Sequence, residues 1–263
     1  MPKTAFFAYP ADPALIGGAI SEAIPEARQA CDLIITPWPK LKIIGLKLDD
    51  LIRDKILMAD FLLADVTYPN FNVYYEIGYA VGQQKLFVLT VNYTVEKATA
   101  NVNLTGLFDT LGQLKYQNAH ELVEQFKYYE AVAWTNQYLK VKDHTQPLFL
   151  LDALRKIDFR NYIVQTVANS HVQARKFDPE EVPRLSLSAA IGDVSASAGI
   201  IVPLISTQIS DWERHNLRGA FITGLCHGLD IEPLIIQYED VLPRSTIETL
   251  LIRHEAGARL KSQ

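Results

Sequence analysis

The stretch from Ala59 to Thr90, ADFLLADVTYPNFNVYYEIGYAVGQQKLFVLT, limits this chain more than any other. Phe61–Val66 is a short run, apolar except for Asp65 near its carboxyl end, as expected of a strand buried on both faces. A polar turn with Pro69 and two asparagines follows it. A helix is expected to begin near Asn72, with Asn72 as its N-cap and Glu76 in its first turn. Leu86–Thr90 is a second buried strand. A strand, helix and strand in such close succession need a parallel crossover, because an antiparallel pair would not need the helix. In open parallel sheets ligands bind beyond the carboxyl ends of the strands, which is where Asp65, Thr67 and Glu76 would gather.

The same alternation runs through the rest of the chain. Thr4–Tyr9 reads as a first buried strand, ended by Pro10. Asp12 and Pro13 suit a helix start, with the aspartate as cap and the proline in the first helical position. Leu33–Thr36 is a second strand, and Leu48–Met58 an amphipathic helix. Gln113–Tyr116 is a short strand. Helical patterns from about His120 to Lys140 and from Pro147 to about Gln173 read as the join between two halves. Beyond them Gly199–Ser206, Leu217–Leu229 and Pro233–Gln237 repeat strand, helix and strand. Gly78 and Gly82 before LFVL mirror Gly224 and Gly228 before LII. The expected fold is therefore α/β. It comprises two tandem Rossmann-like or flavodoxin-like units with parallel sheets, residues 1–145 and a degenerate second unit over residues 146–263.

Composition removes several classes of function. A net charge of −5 with scattered Lys and Arg leaves no basic stripe for nucleic acid. No apolar run reaches the ~20 residues of a membrane span, and the N-terminus lacks the pattern of a secretory leader. With only Cys31 and Cys226 there is no disulfide framework, and a cytoplasmic location is expected. The six histidines show no metal-ligand spacing. Ser195 and Ser197 lack the glycines of a nucleophile elbow. Asp211, Arg214, His215 and Arg218 form a polar cluster ahead of the second unit's helix. It reads as a solvated turn or, if this half holds a ligand, as a place for a phosphate.

Glu76 has two readings from its position alone. A glutamate in a first helical turn complements the helix dipole and does nothing more. An ionised carboxylate at a sheet edge can also stabilise or attack an oxocarbenium ion at a sugar C1′. Asp65 likewise either organises its turn or joins the site. Gly78 sits inside the helix at about 1 kcal/mol relative to alanine, a penalty that close approach to the sheet or to a ligand would explain. The second unit has no glutamate at the equivalent place.

The run ADVTxxNxNVxYEIGYA resembles a motif of the nucleoside 2-deoxyribosyltransferase-like and TIR-like nucleotide-hydrolase superfamily, often seen in bacterial defence proteins. FFAYP at the first strand and FDT…LKY at Phe108–Tyr116 are similar to the first and last strands of that group. The resemblance covers about the first half of the chain. It implies cleavage or exchange of an N-glycosidic bond in a nucleoside, nucleotide or NAD. Glu76 would be the catalytic carboxylate acting on the ribose. Asp65, Asn70 and Asn72 would line the sugar pocket, with Thr67 and Tyr75 among the binding residues and Tyr9 and Pro10 near the base. NAD or a nucleotide would be substrate, with no separate cofactor or metal, and assembly into a homo-oligomer is implied. Deoxyribosyltransferases carry an Asp-Ser-Gly-type turn where this chain has Pro69-Asn70-Phe71-Asn72. That ranks transfer behind hydrolysis and behind plain nucleotide sensing.

Overall fold

The computed structural model describes residues 2–40, 48–129, 135–154 and 157–237. Within them the chain winds two parallel sheets in succession. The first contains β1 (Lys3–Ala8), β2 (Leu33–Pro37), β3 (Phe61–Asp65), β4 (Leu86–Asn92) and β5 (Gln113–Tyr116), in the spatial order β2-β1-β3-β4-β5. Its helices are α1 (Ala14–Cys31), α2 (Leu48–Met58), α3 (Phe71–Gly82), α4 (Ala98–Asn103) and α5 (Ala119–Phe126). The second sheet contains β6 (Leu148–Leu151), β7 (Ala174–Phe177), β8 (Gly199–Leu204) and β9 (Leu234–Gln237), ordered β7-β6-β8-β9. Its helices are α6 (Asp158–Asn169), α7 (Leu187–Ala196) and α8 (Trp212–Gly228). Every strand pair in both sheets is parallel. This is an α/β, Rossmann- or flavodoxin-like fold in two units. Each unit reverses strand order beside its first strand, so each has a switch point, between β1 and β3 and between β6 and β8.

Side-chain alternation along β1 divides the first unit into two cores. Ala5, Phe7 and Tyr9 join Ile16, Ile20, Leu122 and Phe126 under α1 and α5. Phe6 and Ala8 point to the other face, where they meet α3. That second core does not stop at the unit boundary. It runs through α3 and α8 to Phe149 and Leu151 of β6 and to Val202 and Leu204 of β8. Every residue of α3 from Val73 to Gly82 is buried, because the helix is covered by its own sheet on one side and by α8 on the other.

Glycines make that helix pair possible. A Cβ on Gly78 would lie 2.1 Å from the carbonyl oxygen of Phe221, and one on Gly82 would lie 2.6 Å from that of Leu225. Reciprocally, a Cβ on Gly224 would lie 2.0 Å from the carbonyl oxygen of Tyr75, and one on Gly228 would lie 2.5 Å from that of Tyr79. The helices touch backbone to backbone, in an isologous arrangement like a two-fold dimer interface built within one chain. The close approach expected at Gly78 is therefore to α8, not to the sheet or to a ligand.

Several boundaries differ from those read in the sequence. α1 starts at Ala14, with Pro13 at the cap position and no side-chain cap from Asp12. The pattern from His120 gives only the helix Ala119–Phe126 and a 3-10 turn at Thr135–Tyr138, and residues 130–134 lie outside the described residues. The stretch after Pro147 begins as strand β6 rather than helix. A four-residue apolar run cannot be assigned by periodicity, and here tertiary pairing with β7 and β8 decides it. With β6, β7 and α7 the second unit has the same winding as the first.

Candidate functional site

The entry to α3 positions the candidate residues. Asn70 is in extended conformation, and its Oδ1 accepts hydrogen bonds from the amides of Asn72 (3.0 Å) and Val73 (3.1 Å). Asn70, not Asn72, is the N-cap. Both are cap-forming residues, but only Asn70 stands where one oxygen can reach two free amides. Asn72 becomes an exposed residue of the first turn. The shift moves Glu76 into the second turn, where the helix dipole acts on it weakly.

Glu76 is 6 % exposed and has no hydrogen-bond or ion-pair partner among the described residues. Burial first, and then the nearby Asp49, together raise its pKa to about 8. The ready anion expected from the sequence is thus a carboxylic acid held largely protonated at neutral pH. Asp49 stands in the first turn of α2 and is itself buried. The sequence reading missed it. It shares a helical stripe with Ile52 and Ile56, so an acid in an apolar register was the available signal. At Glu76's place in α8, keeping the register of the paired glycines, stands Ile222, fully buried. An apolar residue suits this frame.

Asp65 and Thr67 come together as expected, but in a closed arrangement. Asp65 is wholly buried, and its oxygens accept from the Thr67 amide (3.1 Å), the Thr90 hydroxyl (3.0 Å) and the Tyr116 hydroxyl (2.9 Å). Burial pushes its carboxyl upward against those hydrogen bonds. The Thr67 hydroxyl accepts from the Asn92 amide at 2.8 Å, and the Thr67 carbonyl accepts from the Asn101 side chain at 2.8 Å. These bonds tie the carboxyl ends of β3, β4 and β5 into one block and leave the pair no exposed surface.

The remaining expected residues lie apart. Tyr9 projects to the α1 face of the sheet, opposite to α3, and packs edge-on to Phe7 and against Trp38. Its carbonyl accepts from the Trp38 indole at 3.0 Å. Pro10 is buried just beyond it. Tyr75 faces the second unit, with its hydroxyl 2.8 Å from Nδ1 of His227 on α8. Burial raises the Tyr75 hydroxyl, and Arg53 of α2 opposes that shift. The structure thus puts Glu76 with Asp49, Asp65 with Thr67, Asn70 on the helix cap and Tyr75 on the helix interface.

Among the described residues, no helix is long and apolar enough to cross a membrane. No family model matches the chain, and no curated protein matches it. Among solved structures, the chain is similar to a conserved protein from Enterococcus faecalis V583. The identity is 15 % over 48 % of this chain and 98 % of that one, with a TM-score of 0.36. A likeness of that size carries no argument about function.

Proposed function

We propose that the first unit hydrolyses the N-glycosidic bond of NAD or a related nucleotide, with Glu76 as the carboxylate that acts on the ribose. One observation carries this reading. Glu76 is a nearly buried carboxyl without a partner, in a frame whose sister helix places isoleucine at the same point. An uncompensated buried acid is destabilising, and a strongly raised pKa with a specific charged neighbour marks a functional candidate.

The chemistry follows from charge. A cationic nicotinamide ring beside Glu76 favours the ionised carboxylate, offsetting the burial and Asp49 that oppose it. The C1′–N bond breaks with its electron pair going to the ring nitrogen, so the base leaves neutral. The carboxylate stabilises the ribosyl cation. Water adds its oxygen to C1′ and releases a proton, giving the ribosyl hydrolysis product. The resemblance in the sequence supports this class of reaction, a homo-oligomer and a role in defence, and the sparse cysteines suit a cytoplasmic location. Purified protein incubated with NAD is expected to release nicotinamide, and Glu76→Gln to abolish that release while remaining folded. Equal turnover by the variant would sink the assignment.

A second reading is favoured by the closed state of Asp65, Thr67 and Asn70, whose polar atoms are already engaged by the protein. In it the protein senses a nucleotide without consuming it. The ligand would then raise the melting temperature and be recovered intact after long incubation. Deoxyribosyl transfer, the third alternative, requires base exchange between a deoxynucleoside and a free base.

A further inference from the structure

The second unit opens at its own switch point. A cleft of ≈ 140 Å³ lies there, lined by Leu154 beyond β6, by Pro179 and Pro183 beyond β7, and by Arg214, His215 and Arg218 of α8. We propose that this cleft binds the phosphate group of a small phosphorylated ligand, held by Arg214, Arg218 and the open N-terminus of α8. The site is separate from Glu76 and stands whether or not Glu76 is catalytic.

Arg218 is the strongest reason. It is 3 % exposed, yet among the described residues no carboxylate lies within ion-pair distance of it. Its Nε and Nη2 donate to the carbonyls of Thr105 (2.8 Å) and Pro183 (2.9 Å), and its guanidinium carbon lies 4.9 Å from the centre of the Phe177 ring. Those contacts hold the fork in place but do not neutralise it. Burial, and then Arg214, lower its pKa to about 10, so it remains a cation at neutral pH. Asp211 acts on this guanidinium only from beyond ion-pair distance, and a buried cation so weakly compensated is destabilising until an anion arrives.

Arg214 adds an independent sign. Its Nε is sealed from solvent with no hydrogen-bond acceptor. Buried donors are nearly always paired, and an orphan calls for a ligand or water. Its Nη2 lies 3.4 Å from Oδ1 of Asp211, the one carboxylate among the described residues that line the cleft, so two arginines face one acid there. His215 contributes no charge. Its Nε2 lies 2.7 Å from the Pro203 carbonyl and so carries the proton, while burial lowers the ring to about 4.

The helix start is both rigid and unoccupied by a side-chain cap. Asn216 grips Ile205 by both its amide (3.0 Å) and its carbonyl (2.9 Å), and His215 ties the same turn to Pro203. Asp211 gives α8 no side-chain cap, whereas Asn70 closes the matching end of α3. The dipole of a 17-residue helix therefore points its positive end at the cleft. Leu154 and the prolines supply apolar walls that exclude water around the anion. The fork of each arginine suits the several acceptor oxygens of a phosphate.

Isothermal titration calorimetry of the full chain tests this, with inorganic phosphate and ribose 5-phosphate as probes against chloride at matched ionic strength. Saturable binding of at least one probe is expected. A preference for ribose 5-phosphate would identify a phosphorylated small molecule as the ligand, and equal affinity would identify the free anion. Arg214→Gln, at a partly exposed position, should weaken binding about tenfold or more. Leu154→Glu, from a different element, should abolish it by bringing a like charge into the cleft. Absence of binding for both probes, or wild-type affinity in either folded variant, would overturn the proposal.

Discussion

Gly78 and Gly224 each lie against the backbone of the other's helix. The Cβ that Gly78 lacks would fall 2.1 Å from Phe221, and the Cβ that Gly224 lacks would fall 2.0 Å from Tyr75. Neither obstacle is a side chain that can rotate away. Alanine at Gly78 would gain about 1 kcal/mol in helix propensity, but overpacking against a backbone costs about 1–3 kcal/mol and at times more. With the cost at the upper end of that range, because the obstacle is backbone, Gly78→Ala is therefore expected to lower stability by about 2 kcal/mol in urea denaturation. Unchanged or increased stability would show that the two helices do not meet this closely.

Glu76 links stability to pH. Its folded pKa of about 8 exceeds the usual glutamate value, so the folded state holds an extra proton between about 4.5 and 8. Stability should fall as pH rises through that window, by about 1.4 kcal/mol per pH unit where the difference is one whole proton. Glu76→Gln cannot ionise. Its melting temperature should exceed that of the wild type at pH 8, and the gap should close towards pH 5. An equal gap at both pH values would show that Glu76 is not held as an acid.

The same residue sets the rate profile if ionised Glu76 acts on a cationic N-glycoside. The free-enzyme quantity kcat/KM should then rise about tenfold per pH unit below an inflection near 8 and level off above it. A profile that instead falls through 8 would make Glu76 a proton donor and point to a substrate whose neutral base needs protonation to leave.

Tyr116 donates to a fully buried carboxyl, Asp65, at 2.9 Å. Tyr116→Phe keeps the ring and deletes the donor. Removing one partner of a buried hydrogen bond costs about 1–3 kcal/mol, so a loss of about 2 kcal/mol is expected in chemical denaturation at pH 7. A loss below about 0.5 kcal/mol would show that Asp65 does not depend on this bond.

Much of the architecture could be read from local pattern. The apolar runs at Phe61–Val66, Leu86–Thr90 and Gly199–Ser206 are long enough to show as buried strands, and the helix between the first two is forced by their proximity. β6 escaped because LFLL is too short for periodicity to separate strand from helix, and Pro147 resembled a helix start. The start of α3 moved by a single choice between two asparagines, which took Glu76 out of the first turn, while the tertiary packing around α3 desolvates it. The glycine pairs were visible as a repeat. What they contact was not, because a contact between helices far apart in sequence leaves no local periodicity. Asp49 was hidden for the same reason: its partner lies on another helix.

Release of nicotinamide from NAD, followed by liquid chromatography for wild type and Glu76→Gln side by side, tests the central claim most directly. Steady release by the wild type and none by a folded Glu76→Gln is the predicted result. Equal release by both, or intact NAD in both after long incubation, would contradict it.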